Sequence, residues 1–237
     1  MPRNARIAPS GIIFHVINRG NAKGKIFSKE ADFAAFEEIL LEGTKRYRMA
    51  LLAYCLLHNH WHLVLRPEVE GELGRFMQWV TVTHVRRWHE HRGTGGSGHL
   101  YQGTYRSFPV QADEHFLVVM RYVERNALRA GLVKRAEDWR WCSLWMRESG
   151  EEAMKGMLAE WPVDAGRDWV ARVNRAQTAQ EEEAVKISIK RGKTKGISTF
   201  ILTNSDKNLT RKCTYPALSQ PSASSMMLCV STRSRSS

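Results

Sequence analysis

Short apolar runs rich in β-branched and aromatic residues alternate along the chain with longer stretches whose apolar residues recur every three or four positions. Gly11-Ile12-Ile13-Phe14-His15-Val16-Ile17-Asn18 is the first run, and it ends at Arg19-Gly20-Asn21, which predicts a strand followed by a turn. Ser28, as N-cap, and Glu30 open a helix that carries Phe33, Phe36, Leu40 and Tyr47. Met49 to Leu57 and His60 to Arg66 are two apolar segments separated only by His58-Asn59, short enough for a hairpin, and Pro67 stops the second. Leu73, Phe76, Met77, Val80, His84 and Trp88 mark a second helix that runs into the glycine-rich loop Arg92 to Gly98. Gly103 to Val110 reads as a fourth strand, with Pro109 pointing to a sheet edge. A third helix runs from the N-cap Asp113 to Gly131, with Phe116, Val119, Met120, Val123 and Ala127 as its buried stripe. The order β-α-β-β-α-β-α predicts an α+β fold: an antiparallel sheet with helices packed on one face, a ferredoxin-like or RRM-like sandwich.

The pattern changes towards the C-terminus. Asp164 to Glu183 predicts a further helix with Trp169, Val170 and Val173 on one side, followed by the basic segment Lys186 to Lys193. Residues 197–237 are rich in Ser and Thr without core periodicity, so disorder is expected there. The boundaries expected are a domain over 1–146, a helical and basic extension over 147–196, and the tail over 197–237. A hydrophobic content of 43% is ample for one core. The net charge of +12 points to a polyanionic partner, but +9 of it lies in residues 186–237. Cys55, Cys142, Cys213 and Cys229 are scattered without C-x-x-C spacing, so free thiols are expected, as in a reducing cytoplasm. No apolar run approaches membrane-spanning length and Met1-Pro2-Arg3-Asn4 leads into no signal peptide, so no membrane association is expected.

Candidate chemistry centres on Leu57-His58-Asn59-His60-Trp61-His62-Leu63. Side chains alternate across a strand, so His60 and His62 share a face and two neutral imidazoles can close on one divalent ion, while Trp61, Leu63 and Leu65 pack the other. Taken alone, such a pair is more often two hydrogen-bonded core histidines than a metal site, and it gains force only with a third ligand and a reactive group. Tyr122 and Asn126 lie one helical turn apart, and a helix laid along the sheet would bring both near the histidines. Tyr122 is a candidate covalent nucleophile towards phosphorus. Asn126 offers a carbonyl oxygen as third ligand, a hard donor suited to magnesium or manganese.

These residues resemble a known family. His60-Trp61-His62 looks like the HUH motif, and Tyr122 with Asn126 on a later helix matches the single-tyrosine HUH transposases, especially the REP-associated tyrosine transposases. Phe14 to Asn21 is similar to that branch's opening strand, Ser97 to Ser107 to its G-H-L-[WY]-Q-G-R-[YF] block, and Tyr122 to Val133 to its Y-I-x-x-N-P-V-R-A-G-L-V block. Asp138 to Ser143 resembles the D-W-x-W-S-S turn, and the blocks keep family order over residues 10–145. Ala127 stands where the family has Pro, and His58 replaces a Pro before Asn59-His60.

The resemblance implies the HUH nuclease fold and a metal-dependent single-strand DNA endonuclease and strand transferase acting beside a REP-type hairpin in DNA transposition. Tyr122 would join a 5′ phosphate while a 3′ hydroxyl is released. His60, His62 and Asn126 would hold Mg2+ or Mn2+. Hairpin and single-stranded DNA would contact Asn18, Arg19, Arg86, Arg87, His99, Tyr101, Tyr105, Arg106, Arg129, Lys190, Arg191 and Lys193, because basic residues neutralise phosphates and aromatics stack on unpaired bases. The expected protein is cytoplasmic, nucleoid-associated, and a monomer or homodimer. Two alternatives stay open: a catalytically inactive hairpin DNA- or RNA-binding protein of the same fold, and a replication-initiator or relaxase-like nuclease.

Overall fold

The opening apolar run forms β1 (Ile13–Arg19), and α1 (Glu30–Arg46) returns the chain to the hairpin of β2 (Met49–Leu57) and β3 (His60–Pro67). Next come α2 (Glu72–Arg92) and β4 (Arg106–Val110). This is a computed structural model, and it describes residues 8–96, 98–150, 152–183 and 185. The four strands form one antiparallel sheet in the order β2-β3-β1-β4, which puts β3 beside β1 and the proline-bearing β4 at an edge.

Two boundaries differ from the sequence pattern for visible reasons. The Asp32 carboxylate accepts the backbone N–H groups of Ser28 (2.8 Å) and Lys29 (3.2 Å), so α1 is capped by Asp32 rather than by Ser28. The fourth strand begins at Arg106, not Gly103, because the preceding stretch is tied to the end of β1: Asn21 donates to the Leu100 carbonyl and Gln102 to that of Arg19, each at 2.9 Å.

Helices cover both faces of the sheet, which corrects the one-face expectation. On one side Phe14, Val16, Tyr54, Trp61, Leu63 and Leu65 pack with Phe33 and Phe36 of α1 and Phe76 and Val80 of α2. On the other, Ile13, Ala53, Cys55, Val64 and Val110 pack with Phe116, Val119, Met120 and Val123 of α3 (Glu114–Glu124). Every residue of β2 is buried, as a strand covered on both faces requires. Asp113 caps α3 by accepting from the His115 N–H at 2.8 Å. The single helix expected from Asp113 to Gly131 is two pieces, α3 and the short α4 (Asn126–Arg129), parted at Arg125, whose ψ is −3°. Gly131 ends the run with a φ of 71°, the left-handed conformation glycine adopts without strain.

Farther on, α5 (Ser143–Ser149), α6 (Glu152–Lys155) and α7 (Trp169–Asn174) follow. The helix expected over 164–183 is interrupted after α7, because Thr178 and Glu181 form a capping box that starts a new helical segment. The extension joins the second core through Trp169 and Val173. Its anchor is Glu124, fully buried on α3, which accepts from Ser143 Oγ and Trp169 Nε1, each at 2.7 Å. Burial pushes the Glu124 carboxyl above its usual range. Cys55 and Cys142 are free and buried, whereas Cys213 and Cys229 lie outside the described residues. Among the described residues no helix is long and apolar enough to cross a membrane.

Candidate active site

The hairpin turn between β2 and β3 sets the parity of β3. With Trp61 and Leu63 committed to the α1–α2 core, His60 and His62 face α3. Their ring centroids lie 5.1 Å apart. His60 is held through Nδ1 by the Asn59 side-chain oxygen at 2.6 Å. His62 is held through Nδ1 by Nε2 of His15 at 2.9 Å, with the two rings stacked at 5.2 Å. His15 reaches this position because antiparallel pairing sets it opposite Val64 and sets Ile17 opposite His62. His58 is a turn residue outside the site, and its Nδ1–H donates to the Phe27 carbonyl at 3.0 Å.

The second half of the site comes from α3 and α4. The Tyr122 ring lies edge-on to His62 at 5.9 Å and to His15 at 6.2 Å. Asn126 Nδ2 sits 2.8 Å from His62 Nε2. Arg129, exposed on the solvent side, spans the pair: one nitrogen donates to both the Tyr122 hydroxyl and the Asn126 oxygen at 3.2 Å, and the guanidinium lies 4.6 Å over the tyrosine ring. The structure therefore brings His60, His62, Tyr122 and Asn126 together within one chain.

Burial dominates the electrostatics. It pushes the pKa of His15 down to about 3 and, joined by the charges of Arg19 and Arg129, that of His60 down to about 4. His62 is held well below the usual histidine range, first by burial and then by the neighbouring His15, His60, Arg129 and Arg19. All three rings are neutral at pH 7, the state a metal ligand needs. Among the described residues no group of three or more His, Cys, Asp or Glu could hold a metal ion, and the amide of Asn126 is the further polar side chain in contact with His62. Two imidazoles and one amide oxygen make a mixed nitrogen–oxygen donor set that would leave open positions on a divalent ion. Asn126 turns its nitrogen to His62 and its oxygen to Arg129, so the amide must rotate to act as the ligand expected from the sequence.

The residues expected to touch DNA divide between the two faces. Arg19 lies directly opposite His60 in the β1–β3 ladder, and Arg106 shares a cross-strand row with Ile17 and His62. Both are exposed, and with Arg129 they surround the site. Arg86 and Arg87 belong to α2 on the opposite layer, and Arg87 is paired with Glu42 at 2.9 Å. His99 is exposed and Tyr105 half-buried in the loop before β4. Asn18 is buried, and its side-chain oxygen accepts from the Arg19 N–H at 2.9 Å. Lys190, Arg191 and Lys193 lie outside the described residues.

Tyr101 is a correction. It is buried, its hydroxyl accepts from Trp61 Nε1 at 3.0 Å, and it meets His84 Nδ1 at 2.5 Å, so its ring is not available to stack on a base. Burial raises its phenol well above the usual range and lowers His84 to about 3, which leaves Tyr101 as donor to a neutral His84. Tyr101→Phe strands two buried partners at about 1–3 kcal/mol each. It is expected to lower stability in urea unfolding while leaving hairpin affinity unchanged, and a loss of affinity without a loss of stability would contradict this placement.

Two residues of the site were not anticipated. His15 stood in view as a polar residue in an apolar strand, but nothing local shows which strand lies beside it. Asn59 stood in the motif, and its bond to His60 follows from the turn.

Comparison with known proteins gives three findings. The family model described as "Transposase IS200 like" matches residues 9–126. No curated protein matches the chain. Among solved structures, the chain is similar to a REP-associated tyrosine transposase bound to a REP hairpin, at 12% identity and a TM-score of 0.51, covering 75% of this chain and 92% of that one. At that identity the likeness shows the fold. A transposase candidate from Deinococcus radiodurans also matches, at 16% identity and a TM-score of 0.37, covering 52% of this chain and 95% of that one.

Proposed function

The chain belongs to the IS200-like transposase family, and from that premise we propose that it cleaves single-stranded DNA beside a hairpin through Tyr122, with a divalent cation held by His60, His62 and Asn126. The observation that carries this reading is the convergence of a phenol, two neutral imidazoles and an amide in one chain, with Tyr122 5.9 Å from His62 ring to ring. The related structure bound to a REP hairpin supports hairpin DNA as the substrate class.

In the proposed reaction the Tyr122 oxygen attacks phosphorus and a P–O bond forms. The P–O3′ bond breaks, and the DNA 3′ oxygen departs and takes up a proton, while the phenolic proton passes to solvent. The product is a 5′-phosphotyrosine link and a free 3′ hydroxyl. Bound Mg2+ or Mn2+ would polarise the phosphate oxygens and orient them for attack. Arg129, which already donates to the phenol oxygen at 3.2 Å, holds the nucleophile in place and offers a guanidinium to the phosphate. Arg19 and Arg106 flank the same face and neutralise neighbouring phosphates. Because all parts lie in one chain, a monomer suffices.

Incubating the full chain and Mn2+ with a labelled hairpin oligonucleotide bearing a single-stranded flank tests the proposal. A covalent adduct that survives denaturing electrophoresis is expected. Binding without an adduct would instead identify a hairpin-binding protein of the same fold. Arg19→Ala and Arg129→Ala are each expected to weaken hairpin binding and to reduce the slope of log affinity against log salt by roughly one. Arg86→Ala, on the opposite layer, should change neither, and the reverse pattern in a salt titration would place the DNA on the wrong face.

A further inference from the structure

Between the imidazole pair and the rest of the protein runs a chain of hydrogen bonds whose directions are fixed by one residue that can only donate. Arg129 donates to the Asn126 side chain at 3.2 Å, so the atom it meets must be the amide oxygen. The amide nitrogen therefore faces His62 Nε2 at 2.8 Å, and an NH2 group can only donate. His62 Nε2 must accept, which leaves the single proton of the neutral ring on Nδ1. That proton points at His15 Nε2, 2.9 Å away, which accepts it. The same logic holds for His60, whose Nδ1 meets the Asn59 oxygen at 2.6 Å. Both imidazoles are thus anchored by Nδ1, and His62 turns its Nε2 to Asn126.

We infer that His15 is a positioning residue that fixes His62 as its Nδ1–H tautomer and aims its Nε2 lone pair into the site. The inference rests on the proposed cation site for its purpose, but its geometry stands without one. A carboxylate, carbonyl or water that accepts from the far ring nitrogen of a ligating histidine fixes its tautomer and ring orientation, and losing it costs about 10–100-fold in metal affinity. The His15 ring nitrogen accepts from His62 in the same way. His15 has the required placement. It is 2% exposed, stacked on His62, and set by β-sheet register rather than by a mobile loop. Phe108, opposite it on β4, and Tyr122 close its other sides, so the ring has little room to turn.

Long-range 1H–15N correlation spectra of the 15N-labelled, metal-free full chain read the tautomer directly. His62 is expected as a single neutral form protonated on Nδ1. In His15→Phe, which keeps the ring stack and removes the acceptor, the His62 nitrogen shifts should move towards a tautomer mixture. Mn2+ affinity, followed by the electron paramagnetic resonance of free Mn2+, should fall about 10–100-fold. His15→Gln, whose amide oxygen can accept, should recover part of both. A wild-type His62 protonated on Nε2 would overturn the inference, whether or not the variants fold. A folded His15→Phe with unchanged His62 shifts and unchanged Mn2+ affinity would also overturn it. A wild-type chain that shows the Nδ1–H tautomer but takes up no Mn2+ would support the positioning role and count against the metal site instead.

Discussion

Tyr122→Phe is expected to fold, to bind hairpin DNA as the wild type does, and to form no covalent adduct. The hydroxyl is the only atom removed, and its described bond is the one from Arg129 at 3.2 Å on the solvent side of the site. The ring remains and keeps its edge contacts with His15 and His62. The stability change should therefore stay within about 1 kcal/mol. The chemical effect is far larger, because the attacking oxygen itself is removed: a fall in cleavage rate of at least about a thousandfold is expected. Cleavage is read as release of the labelled 3′-hydroxyl fragment and binding as a mobility shift on the same samples. A Tyr122→Phe protein that still cleaves would remove Tyr122 from the reaction.

His62→Gln should separate binding from chemistry in a second way. The side chain is 3% exposed and sits among His15, Tyr122 and Asn126, so its replacement touches the whole site at once. Glutamine keeps much of the volume but cannot present a ring nitrogen between His15 and Asn126. One or two buried polar groups then lose a partner, at about 1–3 kcal/mol each. Mn2+ affinity should drop by more than about 100-fold, beyond the cost of losing a residue that merely supports a ligand. Adduct formation should fall with it, whereas hairpin affinity, which the proposal assigns to Arg19, Arg106 and Arg129, should stay within about threefold. Denaturant unfolding, Mn2+ titration and a mobility shift on one preparation give all three quantities. Unchanged Mn2+ affinity in the folded variant would show that His62 is a core histidine.

Much of this architecture is legible in the sequence because its signals are local. The alternation His60-Trp61-His62-Leu63 assigns each side chain to a face, and the two-residue connection before it forces the hairpin. Tyr122 and Asn126 follow from helical spacing, although the helix breaks at Arg125 between them. What local pattern does not carry is register between strands far apart in the chain. His15 and His62 are 47 positions apart, and their bond depends on β1 lying beside β3. Tyr101 reads as an aromatic of a glycine-rich loop, yet Trp61 and His84, on different elements, draw its hydroxyl inward. The second helical layer was visible in one place only, the nine consecutive apolar residues of β2, which a half-solvated strand would interrupt with polar ones. Thr178 and Glu181 have capping-box spacing, a sign that the expected long helix restarts there.

The phenol and the paired imidazoles of a single chain acting on one phosphodiester can be tested by digesting the Mn2+-trapped protein–oligonucleotide adduct and locating the nucleotide mass by tandem mass spectrometry. A 5′-linked phosphate on the peptide that carries Tyr122 is the predicted result. A nucleotide attached to any other residue, or joined through a 3′ phosphate, would contradict it.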